Sequence, residues 1–220
     1  MKRFITFMLM LIMISSVCFG VLVFPDLQTP IMDKWGNPEK DNNGNYRYEE
    51  HWATKEIMKA ANIGLIQGYP DGNFMPDSNI TRAEFIKIAM TLATNKTFDF
   101  SIMPECGVTN WAGPYVSAAE MQNVVEKGKY TDANISEPIT RIEMICILSR
   151  IQINMKGISQ YRDADVSLYT DINSLTKDER DLLVHAARYE LIEGMLSTKE
   201  IKPHEELTRA EAAVALMRVY

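Results

Sequence analysis

The sequence has very little of the chemistry that disulfide frameworks and metal sites require. It contains three cysteines and three histidines among 220 residues, and they form no cluster with metal-ligand spacing. Cys146 lies among apolar neighbours, which predicts a buried free thiol. A single bridge to Cys106 is the alternative in an oxidising compartment. Asp41–Asn45 resembles a calcium loop, but its glycine comes two positions too early for the EF-hand pattern, so we predict a solvated loop and no metal or cofactor.

Positive charge is also scarce. The chain has 23 basic and 29 acidic residues, and removal of residues 1–20 would take away Lys2 and Arg3 but no acid, leaving a net charge of −8. Such a chain lacks the basic surface that binds nucleic acids or anionic lipids. Any anionic polymer that it binds must therefore be held by local arginines, and no nucleic-acid partner is expected.

Long apolar runs are confined to the N-terminus. Lys2 and Arg3 precede an apolar stretch over residues 4–17, and small residues near Cys18 and Gly20 could serve for cleavage. This pattern is typical of a secretion signal, predicted over residues 1–20. The stretch is short for a membrane span. Simple cleavage is favoured over an uncleaved anchor or a lipid-modified Cys18, so a secreted chain without a stable membrane span is expected.

Catalytic groupings are missing as well. His51, His185 and His204 have no serine, cysteine or carboxylate partner at a spacing typical of nucleophilic catalysis. The rest of the sequence leaves no segment from which a separate catalytic domain could be built. We therefore predict that the chain is not an enzyme.

The sequence does contain a five-residue motif that occurs three times. In each copy a Thr is followed three positions later by a Glu, which is the capping-box pattern that begins a helix. The apolar residue before each Thr can pack on the residue after each Glu. The motif arginines are 59 and then 68 residues apart, which predicts three related units. The copies are Ile80-Thr81-Arg82-Ala83-Glu84, Ile139-Thr140-Arg141-Ile142-Glu143 and Leu207-Thr208-Arg209-Ala210-Glu211.

The residues after each motif predict helices with the same apolar stripe. In all three copies the apolar side chains recur at helical spacing on one face. A unit of this size cannot bury its own stripe, so the units should pack together as one body. The stripes are Phe85, Ile88, Ala89 and Leu92; Met144, Ile147, Leu148 and Ile151; and Ala212, Ala215, Leu216 and Val219.

The arginine in the motif has no such local explanation. A cation at the first helical position faces the positive end of the helix dipole, which costs on the order of 0.3–1 kcal/mol. One interpretation is that each arginine pairs with carboxylates of the neighbouring unit and locks the units together. The other is that it joins free helical N–H groups in binding an external anion. Residue chemistry alone does not separate the two.

Each motif helix is preceded by a predicted first helix and an ordered loop. In the first unit the first helix buries Ile57, Ala60 and Ala61 and ends near Gly64, and Pro70-Asp71-Gly72 predicts a turn. The second unit has lost this turn and the third has lost its tryptophan. The expected boundaries are 21–96 for the first repeat, and 97–155 and 156–220 for two degenerate repeats.

These residues together resemble the S-layer homology (SLH) family, which occurs in bacterial cell-surface proteins. The resemblance is specific in the first unit and depends mainly on the arginine motif and apolar pattern in the others. The first unit carries, in the family's order, the aspartate of Phe24-Pro25-Asp26, His51-Trp52-Ala53, Gly64 to Phe74 and the motif at Ile80–Glu84.

The resemblance implies an all-α fold in which three helix-loop-helix repeats pack with pseudo-threefold symmetry around a central helical bundle. Grooves between the repeats would hold a secondary cell-wall polysaccharide, typically one with a ketal-linked pyruvate. The chain would be a non-catalytic anchor at the cell wall or surface layer. The alternative is a structural module that associates with other surface-layer proteins and has degenerate sugar sites.

The resemblance also implies which residues contact the sugar, and each has a structural alternative. The arginines would bind the acidic sugar and the tryptophans would supply groove walls, and the alternative for the tryptophans is that they fill the core. The aspartates would orient sugar hydroxyls or neighbouring backbone, or cap turns. The stretch from Asp33 to Glu50 exceeds the family's usual gap and is expected to cover or extend a groove. The candidate carbohydrate-binding residues are Arg82, Arg141, Arg209, Trp52, Trp111, Asp26 and Asp171.

Overall fold

The computed structural model describes residues 24–162, 166, 169–192 and 199–219. The predicted signal at 1–20 and Gly194 lie outside the described residues. The described part is mostly helical, as predicted, with six α-helices and a small two-stranded sheet. The helices are α1 (Thr54–Asn62), α2 (Arg82–Ala93), α3 (Gly113–Met121), α4 (Arg141–Arg150), α5 (Lys177–Arg188) and α6 (Arg209–Val219), and α4 continues into a π-helical turn over Ile151–Met155.

The helices pack mainly between units rather than within them. The three motif helices α2, α4 and α6 contact one another, and each first helix packs on the motif helix of a different unit. Thus α1 packs on α6, α3 on α2 and α5 on α4. Because each stripe is covered by another unit, the stable body requires all three units.

A closed ring of backbone hydrogen bonds joins the three motifs just before their helices begin. The N–H of Ile80 donates to the carbonyl of Leu207 at 3.0 Å, that of Leu207 to Ile139 at 2.9 Å, and that of Ile139 to Ile80 at 3.0 Å. All three residues are fully buried. The ring brings together chain segments that are far apart in sequence and sets the helix starts side by side.

The core confirms the predicted stripes. Every stripe residue of α2 and α6, and of α4 with its π-helical continuation, is buried. The motif helices bury further faces as well, including Ile86, Met90 and Ile145, as expected of helices that lie between others. Cys106 and Cys146 are free, so the bridge alternative is wrong. Burial raises the pKa of the Cys146 thiol to about 12, which keeps it protonated and inert.

The helix ends and turns of the first unit also follow the prediction. Gly64 ends α1 in the left-handed region with a φ of +64°, where a side chain would be strained. The predicted turn closes with the N–H of Gly72 donating to the carbonyl of Tyr69 at 2.9 Å. A loop rather than a helix therefore connects α1 to α2.

The polar segment 28–50 folds as a small three-armed β unit, here called the β-arm segment. Strands β1 (Gln28–Pro30) and β2 (Tyr48–Glu50) pair antiparallel as its root. Two further arms are closed by the bridges Met32–Pro38 and Lys40–Tyr46. The helical prediction did not include this element.

Candidate functional site: inter-repeat arginines and two open grooves

The motif arginines stand at the first position of α2, α4 and α6. In each motif the Thr hydroxyl accepts the N–H of the Glu and the Glu carboxylate accepts the N–H of the Thr, so the predicted capping boxes form. The capping box satisfies the N–H of the motif Glu, but the N–H groups of the two helical residues before it have no partner within the motif. The N–H of Arg82 donates instead to the carbonyl of Glu137 at 3.0 Å and that of Ala83 to Ile135 at 3.0 Å. The other two motifs make the same bonds to neighbouring segments, with acceptors at Glu205, Pro203, Ser78 and Pro76.

Arg82 is bonded to acids and backbone of the second unit. Its Nε donates to Glu143 Oε1 at 3.0 Å, and its Nη1 donates to Glu137 at 2.6 Å and to the carbonyl of Asn134 at 3.0 Å. Burial lowers the pKa of Arg82, but the bonds to Glu137 and Glu143 outweigh this and raise it overall. The guanidinium stays charged and is held by the protein's own carboxylates.

The other two arginines repeat this relationship. Arg141 Nη2 donates to Glu211 and lies 3.5 Å from Glu205. Arg209 donates to the carbonyls of Phe74 at 2.9 Å and Gln67 at 3.0 Å, and lies 3.9 Å from Glu84.

Each arginine therefore reaches the capping-box glutamate of another unit, in a cycle that closes the body. The sequence left two interpretations open. The observed contacts are the ones expected if the arginines lock the units together. The helical N–H groups expected to be free for an external anion have internal partners. The reason is tertiary, because the loop before the next motif folds over each helix start.

An open groove of about 350 Å³ lies between the first two units. Trp111 is 55% exposed and forms one wall, so the alternative that it fills the core is wrong. Lys87, on the exposed side of α2, places its Nζ 5.6 Å from the Trp111 ring centroid. Gln67 and Glu84 line the groove as well, and the nearly buried Arg209 forms part of its floor.

A second groove of about 390 Å³ lies between the first and third units. Trp52, which is 58% exposed, forms its wall beside Glu56 and Lys59 of α1. The position that Lys87 holds in the first groove is taken here by Val214 of α6. This groove therefore offers the same kind of aromatic wall without the lysine in front of it.

Comparison with known proteins identifies the first unit. Residues 48–86 match the S-layer homology domain. The matched residues run from β2 through α1 and into α2, and they include Trp52 and Arg82. The SLH resemblance stated from the sequence is thereby confirmed for the first unit.

Similarity to curated proteins extends over most of the chain. An amylopullulanase of Thermoanaerobacterium thermosulfurigenes is 26% identical over 92% of this chain and 10% of its own length. Cell surface glycoprotein 1 of Acetivibrio thermocellus is 50% identical over 21% of this chain and 2% of its own length. A cellulosome-anchoring protein of the same organism is 50% identical over 18% of this chain and 9% of its own length. The chain thus spans a tenth or less of the length of each of these relatives.

The interface between the second and third units differs from the two grooves. The position corresponding to Lys87 is Cys146, which is buried. Beside it, Arg150 donates to Asp178 at 2.6 Å and to Glu126 at 3.2 Å. The bond to Asp178 joins α4 to α5, and the bond to Glu126 joins α4 to the loop after α3.

The two candidate aspartates hold backbone. Asp26 accepts the N–H of Phe74 at 2.9 Å and also that of Met75, whose φ of 57° is unusual for a side-chain-bearing residue. Asp171 accepts the N–H groups of Ile201 at 3.0 Å and Lys202 at 2.6 Å. The resemblance implied that the aspartates orient sugar hydroxyls or neighbouring backbone. The observed contacts orient neighbouring backbone.

Sequence reasoning missed Lys87 and Gln67 as groove residues. A signal for Lys87 was present, because it is the charged residue between apolar positions of the α2 stripe. Its counterparts in the other repeats are Cys146 and Val214, which carry no charge, so comparison of the copies could have found it.

The described residues contain neither a metal-ligand group nor a membrane-spanning helix. His, Cys, Asp and Glu side chains in that part of the chain form no group of three suited to a metal ion. None of the described helices is long and apolar enough to cross a membrane.

Proposed function

We propose that this chain is a non-catalytic module that anchors to the cell wall by binding an anionic wall polysaccharide in the groove of Lys87 and Trp111. The observation that carries the proposal is an exposed tryptophan face with an exposed ammonium group 5.6 Å from its centroid. The SLH match and the surface-protein relatives support a position at the bacterial cell surface.

The chemistry of the groove suits an acidic sugar. The apolar face of a pyranose can stack on Trp111, which leaves its substituents directed toward the groove. Lys87 makes no ion pair within the described residues and can bond to a carboxylate such as a ketal-linked pyruvate. Gln67 offers an amide for sugar hydroxyls, and the charge of Arg209 favours an anion above it.

Each candidate residue then has a place in the proposal. Trp111 and Arg209 belong to the first groove, and Trp52 belongs to the second. The remaining candidates support the grooves indirectly, because they hold helix starts and loops in place: Arg82, Arg141, Asp26 and Asp171. The second groove, which has Val214 in place of Lys87 but is lined by Lys59 and Arg218, would take another sugar unit of the same polymer.

We also infer that residues 21–96, 97–155 and 156–220 are three repeats related by an approximate threefold rotation. The cyclic bonds among Ile80, Ile139 and Leu207 and the cyclic arginine contacts support this arrangement. Residues 1–20 would direct secretion and be removed.

The test is co-sedimentation of the purified chain with wall sacculi, before and after the wall polymer is stripped from them. We expect retention by native walls, little retention by stripped walls, and about tenfold weaker binding for Lys87→Gln. Lys177→Gln is the matched control, because this lysine is 90% exposed and lies on α5. Equal retention by native and stripped walls would contradict the proposal.

The second candidate function is a structural module that associates with itself or another surface protein. The bond between Arg150 and Asp178 favours it, because it joins the second and third units beside Cys146, the buried counterpart of Lys87. It predicts a stable assembly in size-exclusion chromatography together with no retention of the wall polymer.

A further inference from the structure

The β-arm segment exposes large apolar side chains that do nothing for the core. Residues 28–50 contribute no member to the buried core. Trp35 is 75% exposed, and Met32, Tyr46 and Tyr48 are each more than half exposed. Exposed apolar surface of this kind, in a segment that folding of the core does not require, indicates a binding role.

The segment is nevertheless rigidly built. A second closed ring of backbone hydrogen bonds joins its arms, in which Ile31 donates to Arg47 at 3.0 Å, Arg47 to Glu39 at 2.9 Å and Glu39 to Ile31 at 2.7 Å. Each outer loop is closed by an aspartate, since Asp33 and Asp41 both accept two loop N–H groups. The aromatic side chains are therefore carried on an ordered frame, which lowers the entropy cost of binding.

The groups beside the aromatic rings are cationic. Lys34 Nζ lies 4.2 Å from the Trp35 ring centroid, and Lys40 Nζ lies 4.7 Å from that of Tyr46. Among the acids of the segment, Asp33 and Asp41 bond to their own loops and Glu39 pairs with Arg47 at 2.8 Å, whereas Glu49 and Glu50 lie on β2 at the root. Two lysine–aromatic pairs are thus presented outward on a chain whose overall charge is negative.

The segment is continuous with the second groove. Its root is tied to the body where the N–H of His51 donates to the carbonyl of Leu27 at 2.8 Å. The next residue is Trp52, whose ring lies 5.5 Å from that of His51 and forms the wall of the second groove. The root of the segment therefore adjoins the second groove.

We propose that the pairs Lys34–Trp35 and Lys40–Tyr46 form an additional binding surface for a longer stretch of an anionic wall polysaccharide. This inference depends on the proposed function and adds the length of glycan that the chain recognises. Sugar rings can stack on the aromatic faces while their carboxylates bond to the two ammonium groups. An apolar protein partner fits less well, because it would have to desolvate lysines that lie over the rings.

The test compares two probes made from one material, the polymer released from native sacculi and its short terminal fragments. For Trp35→Ala/Tyr46→Ala we expect about tenfold weaker binding of the long polymer and unchanged binding of the fragments. Lys34→Gln/Lys40→Gln should show the same selective loss without removing any apolar surface. Ile102→Ala is the matched control, since this side chain is 70% exposed outside the arms.

The outcomes separate this inference from the proposed function. Long-polymer binding that is unchanged in both arm variants but lost in Lys87→Gln overturns the inference and leaves the groove intact. Failure of the unsubstituted chain to bind either probe overturns both. An arm variant that alters self-association while polymer affinity stays constant also overturns the inference, because the surface then serves a protein contact.

Discussion

Arg82 Nε lies 3.0 Å from Oε1 of Glu143, the glutamate that also closes the capping box of the next motif helix. One carboxylate thus serves a helix start and an inter-repeat ion pair at once. The side chains of Arg82 and Glu143 are only 15% and 12% exposed, so the pair is poorly screened by water.

Replacement of Arg82 by alanine should lower the free energy of unfolding by about 2–3 kcal/mol. The variant removes the bonds that Arg82 donates to Glu143 and to the carbonyl of Asn134 in a largely buried place, and leaves Glu143 with the Thr140 and Tyr130 donors only. The measurement is urea unfolding followed by circular dichroism. Arg47→Ala is the control, because its ion pair with Glu39 is exposed and should contribute about 0–1 kcal/mol. Equal unfolding midpoints for the two variants would contradict the locking role.

Asp26→Asn should lower the free energy of unfolding by about 1–2 kcal/mol, since an amide accepts the N–H groups of Phe74 and Met75 less strongly than a carboxylate. Asp171→Asn should have a similar effect in the third unit. Asp77→Asn, at an 85% exposed side chain, is the control. Weaker polymer binding by Asp26→Asn at unchanged stability would instead indicate direct contact with the glycan.

His185 should make the fold less stable as the pH falls from about 7 to 5. Burial lowers its pKa, and its ring bonds fit the neutral form, with Nδ1 accepting the N–H of Tyr161 and Nε2 bonded to Gln152. Because the pKa of His185 is lower in the folded state, the unfolded chain binds more protons in this pH window. The contribution of His185 to the free energy of unfolding is therefore complete above the pKa of the unfolded state and is lost as the pH falls below it.

The measurement for His185 is the urea midpoint at several pH values. His185→Gln should flatten the dependence between pH 7 and 5, whereas His204→Gln, at an exposed histidine, should leave it intact. A dependence that persists unchanged in His185→Gln would show that other groups cause it.

Local features of the fold were predictable from the sequence. The capping boxes at Thr81 and Thr140, the end of α1 at Gly64 and the buried stripes all depend on residues three or four positions apart. The β-arm segment was not predicted, because its ring of hydrogen bonds joins three short polar stretches that lack an alternating apolar pattern.

The candidate site was only partly predictable. Trp52 and Trp111 were identified, but a tryptophan in a core and one on a groove wall look alike in sequence, and only exposure separates them. Lys87 was missed because its role depends on Trp111, which belongs to the next unit.

The sequence by itself determined where the motif helices begin and which faces they bury, because capping and periodicity act within a few residues. The tertiary structure alone decided what the arginines bind and which grooves stay open. Glu143 lies 61 residues beyond Arg82, and Gln67 lies 142 residues before Arg209. The ring at Ile80, Ile139 and Leu207 and the packing of helices between units bring such partners within bonding distance.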